Sequence, residues 1–178
     1  MNAAIIVAAG RGTRMGPDVD KLWLEVAGRP VVAHTWQQFD QAAGIDRIVL
    51  VVREGMQEEF SRMAEQYCFS KPYRLVVGGA QRQDSVWNGL AALDPGTELV
   101  AIQDAARPCV TEDLIAATLQ AAREEGAAVA AQPVVDTIKE SGDGRLVDHT
   151  IPRERLWAVQ TPQTFRVEVI RRALETAR

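Results

Sequence analysis

The residues best suited to chemistry fall into four short clusters. The first is Ala8-Ala9-Gly10-Arg11-Gly12-Thr13-Arg14-Met15-Gly16, with Lys21 following. Glycines let backbone N–H groups approach phosphate oxygens closely. Arg11, Arg14 and Lys21 add three cations within one stretch. The chain has only three lysines, Lys21, Lys71 and Lys139, so the one beside the glycines is not drawn from a crowd. Three readings of this loop stay open. A surface turn accounts for glycines and exposed arginines. A dinucleotide site needs G-x-G-x-x-G, and here the third glycine comes one residue late. A nucleoside triphosphate cradle uses the cations, which a pyrophosphate held by backbone and a helix end does not need. The P-loop pattern ending in Gly-Lys-Ser/Thr is absent from the sequence.

The second cluster is Gly78-Gly79-Ala80-Gln81-Arg82-Gln83-Asp84-Ser85-Val86-Trp87-Asn88-Gly89-Leu90. It reads as a strand end, a glycine turn and a helix start capped near Asp84 or Ser85. Turn backbone and the Ser85 hydroxyl could read the edge of a base, and an ordinary strand-to-helix turn is the plainer alternative. The third is Asp104-Ala105-Ala106-Arg107-Pro108, directly after an apolar run. A carboxylate at a strand's carboxyl end faces the ligand crevice of an open α/β sheet. Mg²⁺ takes one or two carboxylates plus substrate phosphates, so Asp104 is the best metal candidate among 24 acidic residues. Arg107 suits a phosphate or a carboxylate. The fourth cluster is Arg153-x-x-x-Trp157-x-x-Gln160-Thr161-Pro162-Gln163-Thr164-Phe165, in which Thr161 and Gln163 are polar handles and Trp157 and Phe165 are expected in the core.

These clusters need a frame, and the rest of the chain supplies one. Ala3–Ala9, Arg47–Val52 and Leu99–Gln103 are continuous apolar runs, as suits strands covered on both faces. Arg74–Val77 and Ala127–Ala131 are weaker strand candidates. Between them lie helical stripes: Val32, Trp36, Phe39, Ala43; then Met56, Phe60, Met63, Ala64, Tyr67; then Leu114, Ile115, Leu119, Ala122 behind a Thr111 cap. This alternation predicts an α/β fold: a Rossmann-like, doubly wound, mostly parallel sheet with helices on both faces. Asp136–Ile151 reads instead as a hairpin turning at Ser141-Gly142-Asp143-Gly144, an arm projecting from the sheet. Residues 1–178 are expected to form a single domain carrying this arm. Val167, Ile170, Leu174 and Ala177 begin a last helix. The sequence stops inside that stripe without a cap, so the expectation is a unit that continues further.

Composition narrows the partners. Net charge is −4 over 178 residues, which argues against nucleic acid or an acidic membrane surface as a partner. Two cysteines, Cys68 and Cys109, make neither a disulfide framework nor a metal cluster alone. Ala3–Ala9 is too short to span a bilayer and lacks the basic flank of a secretory signal. A cytoplasmic location is expected.

The first cluster, with Lys21, resembles the signature of the sugar nucleotidyltransferase superfamily. All four clusters, in this order and spacing, resemble the 2-C-methyl-D-erythritol 4-phosphate cytidylyltransferase family of the non-mevalonate isoprenoid route, from Ala3 to about Leu174. The resemblance implies CTP and methylerythritol phosphate as substrates and Mg²⁺ as cofactor. It implies CTP binding at Ala8, Ala9, Gly10, Gly79, Ser85 and Asp104, with Asp104 also holding the metal. Arg14 and Lys21 take the place of the transition-state cations. Acceptor contacts fall on Arg107, Thr137, Arg153 and Thr161. It also implies a homodimer through the hairpin arms, with Thr137 and Arg153 acting in the partner's pocket. The family's chains run on into a segment with a second metal-binding aspartate, an acceptor-positioning lysine and a threonine, none with a counterpart in these residues. At Ala80-Gln81, where some relatives are acidic, base contacts would fall to the backbone. Ribitol 5-phosphate cytidylyltransferases share most of these motifs, although Asp104–Pro108 and the segment from Arg153 to Phe165 lean toward methylerythritol phosphate. A catalytically silent nucleotide-binding module is the alternative from another class.

Overall fold

The structure, a computed structural model, describes residues 1–10 and 20–177. Arg14 therefore lies outside the described residues. The expected apolar runs all form strands: β1 (Asn2–Ala8), β4 (Arg47–Val52), β5 (Tyr73–Val77), β6 (Leu99–Asp104) and β7 (Ala127–Pro133). Between β1 and β4 a two-strand turn, β2 (Glu25–Val26) and β3 (Arg29–Pro30), leads into α1 (Val31–Gln41). The other helices are α2 (Gln57–Gln66), α3 (Arg82–Ala91), α4 (Glu112–Glu125) and α5 (Val167–Thr176). The arm is β8 (Ile138–Glu140) paired antiparallel with β9 (His149–Ile151). A 3-10 turn at Arg153–Arg155 then leads into β10 (Trp157–Arg166).

The central sheet runs β5-β4-β1-β6-β10-β7. The first four strands are mutually parallel, and β10 is antiparallel to both of its neighbours. The strands alternate faces with period two. Ala4, Ile6 and Ala8 of β1, with Ile48, Leu50 and Val52 of β4, enter one core cluster with Trp36, Phe39, Phe60 and Ile115 from α1, α2 and α4. Ala3 and Ile5, with Val49 and Val51, enter the other cluster with Val86 and Leu90 of α3. Ile170 and Leu174 of α5 pack against that second cluster. Both faces are thus covered, and that burial explains why these strands read as unbroken apolar runs.

Several expectations change. The cap of α3 is Gln81, not Asp84 or Ser85, and Asp84 sits one turn in, accepting from the Gln81 N–H at 3.0 Å. An acidic side chain three residues past the cap reaches back to it, so the carboxylate marks the third position and not the first. The fourth cluster is a ten-residue strand, β10, inserted between β6 and β7. Its polar residues and proline carry no period-two signal. Trp157 is not core: Phe165 packs into the second cluster, but Trp157, at the other end of β10, is 59% exposed. Leu114, in the first turn of α4, also lies at the surface. The Thr111 cap is as expected, its hydroxyl accepting from Leu114 N–H at 3.3 Å.

Candidate active site

Parallel register brings the carboxyl ends of four strands level. Ala8 pairs with Val52, Val52 with Val77, and Val7 with Asp104. The loops leaving these ends face one another across a cleft of about 770 Å³. Eight of the expected site residues line it: Ala8, Ala9, Gly10, Lys21, Gly79, Ser85, Asp104 and Arg107.

The glycine turn after β5 is built for close approach. A Cβ on Gly78 would overlap that of Ala9, and one on Gly79 would overlap Asp84. Only glycines let this turn approach Ala9 and Asp84 so closely. Ser85 is buried beneath the turn, accepting from Gly79 N–H at 3.1 Å and donating to Gln81 O at 3.2 Å. Its hydroxyl therefore fixes the shape of the turn. Lys21 stands between an anchored neighbour and a buried one. Asp20 pairs with Arg53 from the end of β4 and accepts from Leu22 N–H at 3.2 Å, while Leu22 is in the core. Among the described residues no carboxylate forms an ion pair with Lys21. The other lysines are engaged elsewhere. Lys71 donates to Phe39 O at 3.0 Å and Ala42 O at 2.5 Å at the end of α1. Burial lowers its pKa there, against the pull of Asp40, Asp46 and Glu112. Lys139 donates to Thr150 in the arm at 2.6 Å.

Asp104 ends β6 and begins a turn held from several sides. Ala105 N–H donates to Val7 O at 3.1 Å, and Arg107 N–H to Asp104 O at 3.1 Å. The buried Thr35 hydroxyl of α1 donates to Ala105 O at 2.7 Å, and Gln103 Nε2 to Arg107 O at 3.0 Å. Two guanidinium groups grip the carboxylate. Arg82 places Nε at 3.1 Å and Nη2 at 3.0 Å from Oδ1, and Arg107 places Nε at 3.1 Å from Oδ2. Arg107 also donates to Gln160. The described residues lining the cleft thus carry three cations, Lys21, Arg82 and Arg107, against one anion, Asp104. Arg82 has a fixed place in the second cluster, but nothing in the sequence pairs it with a carboxylate 22 residues away.

The remaining expected residues lie apart from this cleft. Thr161 is buried beside it, its hydroxyl 3.4 Å from the Asp104 N–H. Thr137 and Arg153 sit at the base of the arm, both exposed, with Arg153 donating to Val135 O. Within one chain the structure does not bring these two to the cleft.

Among the described residues no group of three His, Cys, Asp or Glu side chains gathers as a metal centre. Among the described residues lining the cleft, a cation would find one carboxylate, Asp104, beside ligands from substrate and water. That donor set fits a hard ion such as Mg²⁺ and does not fit tetrahedral zinc. No helix of the described residues is long and apolar enough to cross a membrane.

Known proteins match the chain along nearly its whole length. The family model for IspD, 2-C-methyl-D-erythritol 4-phosphate cytidylyltransferase, matches residues 2–178. The chain is 46% identical over 169 residues to a protein of that name from Alkaliphilus oremlandii, covering 94% of this chain and 72% of the relative. It is 44% identical over 177 residues to one from Pelotomaculum thermopropionicum, covering 99% and 74%. A crystal structure of 4-diphosphocytidyl-2C-methyl-D-erythritol synthase from Anaerococcus prevotii superposes with a TM-score of 0.86 at 35% identity, covering 98% of this chain and 74% of that one.

Proposed function

The chain belongs to the 2-C-methyl-D-erythritol 4-phosphate cytidylyltransferase family, and from that premise we propose how its cleft performs the reaction. It is a cytidylyltransferase of isoprenoid biosynthesis. CMP passes from CTP to methylerythritol phosphate, giving 4-diphosphocytidyl-2-C-methyl-D-erythritol and pyrophosphate. The observation that supports the site is the convergence of Ala8–Gly10, Lys21, Gly79, Ser85, Asp104 and Arg107 on one cationic hollow.

An acceptor phosphate monoester loses its second proton near about pH 6, so at pH 7 it is already a dianion and a nucleophile. No general base is needed. Neither histidine lines the cleft: His34 contacts Val26 O at 2.7 Å, and His149 pairs with Glu140 at 3.1 Å. The barrier is repulsion between two anions. An oxygen of the acceptor phosphate forms a bond to the α-phosphorus of CTP. The bond from that phosphorus to the oxygen bridging to the β-phosphate breaks, and pyrophosphate leaves with the electron pair. Positioning and fixed charge do most of such catalysis.

In this proposal the backbone of Ala8, Ala9 and Gly10 cradles the phosphates, and the Gly79 turn, held by Ser85, reads the cytosine. Lys21 and Arg14 stabilise the crowded transition state. Arg107 and Thr161 hold the acceptor. Asp104 would hold a Mg²⁺ ion, which would supply charge neutralisation for the phosphates. Two copies of the chain pair through their arms, so that Thr137 and Arg153 reach the other copy's acceptor site. An uncovered apolar stripe supports the pairing: Trp157 and Val159 of β10 stand beside Pro133 and Ala131 of β7, all exposed. The nucleotide substrate and the two free thiols, Cys68 and Cys109, suit the cytoplasm.

The test is pyrophosphate release from CTP with methylerythritol phosphate, with ribitol 5-phosphate, or with no acceptor. Release with the first alone is the expected result. Faster release with ribitol phosphate, or release with neither, overturns the reading.

A further inference from the structure

Asp104 is the carboxylate on which the proposed metal site rests, and this inference rests on that reading. Both of its oxygens already accept from arginine: Oδ1 from Arg82 Nε and Nη2 at 3.1 and 3.0 Å, Oδ2 from Arg107 Nε at 3.1 Å. A divalent cation and a guanidinium seek the same lone pairs and repel each other. With three of the carboxylate's roughly four acceptor positions taken and two guanidinium groups beside it, a metal reaches the carboxylate more readily once one guanidinium yields.

The two are not equally placed to yield. Arg107 belongs to the same turn as Asp104. Its carbonyl is held by Gln103 and its N–H by Asp104 O, and its guanidinium has a further partner in Gln160. Arg82 arrives from the first turn of α3, and its further contact, Gln163 Oε1, is at 3.4 Å, the edge of hydrogen-bond range. Its side chain is 47% exposed and lines the same cleft as the glycine loop. An anionic ligand in that cleft would lie within its sweep.

We propose that Arg82 is a positioning residue that occupies Asp104 until nucleotide arrives. It then passes to the nucleotide's phosphates, so that the metal loads with CTP and not before it. The exchange conserves charge locally: the guanidinium leaves one anion for another as the cation takes its place. A purely structural arginine linking α3 to β6 would behave differently, because its loss would weaken every ligand together.

The test uses Mn²⁺ titrations followed by electron paramagnetic resonance, which counts the free ion, and CTP titrations in the presence of a chelator. The proteins are the wild type, Arg82→Met, Arg82→Gln, Asp104→Asn and the double variant Arg82→Met/Asp104→Asn, each checked for native circular dichroism. The expected result has opposite signs. Without nucleotide, both Arg82 variants bind Mn²⁺ roughly three- to tenfold more tightly than wild type, the modest effect of freeing a half-exposed ion pair. The gain disappears in the double variant. Metal-free CTP binds the same Arg82 variants several-fold more weakly. Unchanged or weaker Mn²⁺ binding in folded Arg82→Met, a gain that survives in the double variant, or undiminished CTP binding overturns the proposal. If Asp104→Asn binds Mn²⁺ with CTP as tightly as wild type, the metal role of Asp104 falls, and the Arg82 proposal falls with it.

Discussion

Asp104 and Arg107 stand on a turn whose backbone is fixed from beneath. Thr35 is fully buried in α1, and its hydroxyl reaches Ala105 O across 70 residues of chain. Replacing it with valine keeps the shape and leaves a buried carbonyl without that donor. Thr35→Val is expected to lose about 1–3 kcal/mol of stability, the cost of an unmet buried polar group. Urea denaturation measures it, and a loss below about 0.5 kcal/mol would show that the turn does not depend on this bond. Nothing in the sequence flags Thr35, since a threonine in an apolar helical stripe looks like filler. Ser85 stands out in the sequence for its place beside the glycines, and the structure sets it on the cleft wall. Its burial under the turn follows from the fold, because Gly78 sits against both Ala9 and Ser85.

The hairpin arm has a local lock at its tip. Asp143 Oδ1 accepts from Arg145 N–H at 2.8 Å and Leu146 N–H at 3.0 Å. The Leu146 bond, then that of Arg145, lowers the carboxyl pKa below its ordinary 3.8. A depressed aspartate stabilises the folded turn fully above its unfolded pKa and ceases to do so as pH falls through the lower folded value. The amides of Arg145 and Leu146 are therefore expected to stay protected from hydrogen exchange near neutral pH and to lose protection at strongly acid pH. Equal protection at both would contradict this. The arm itself was legible from Ser141-Gly142-Asp143-Gly144, because turn chemistry is local. The strands β1, β4 and β6 were legible for a different reason: burial on both faces removes polar residues from them. The strand β10 was not legible. Its residues are held by ladders to β6 and β7 and by the Thr164–Thr118 hydroxyl contact at 3.0 Å, which are long-range facts. The cap of α3 was misplaced by the same limit, one carboxylate serving equally well on paper as a cap or as the residue three places inside it.

At the scale of the whole molecule, the account asks one chain to lend Thr137 and Arg153 to another. Subunit mixing tests this directly. Lys21→Ala and Arg153→Ala homodimers should each be nearly inactive. Mixed in equal amounts, half of the dimers are hybrids with one intact site, so activity should return to about a quarter of wild type. No recovery would place Arg153 in its own chain's site. The stripe formed by Trp157 and Val159 with Ala131 and Pro133 is expected to be the contact, so Trp157→Asp should shift the protein from dimer to monomer in light scattering. An unshifted mass would move the interface elsewhere. The fold gathers Lys21, Arg82 and Arg107 around the level carboxyl ends of parallel strands, where the proposed reaction has a dianionic acceptor meet an anionic nucleotide. The proposed reaction assigns that meeting to Lys21, the cleft cation that forms no ion pair among the described residues. The decisive measurement is kcat for pyrophosphate release by Lys21→Ala with saturating CTP and methylerythritol phosphate, alongside its melting temperature. The expected result is a fall of about a hundredfold, on the order of 3 kcal/mol of transition-state stabilisation, with the melting temperature unchanged. A folded Lys21→Ala enzyme that turns over at the wild-type rate would contradict the account.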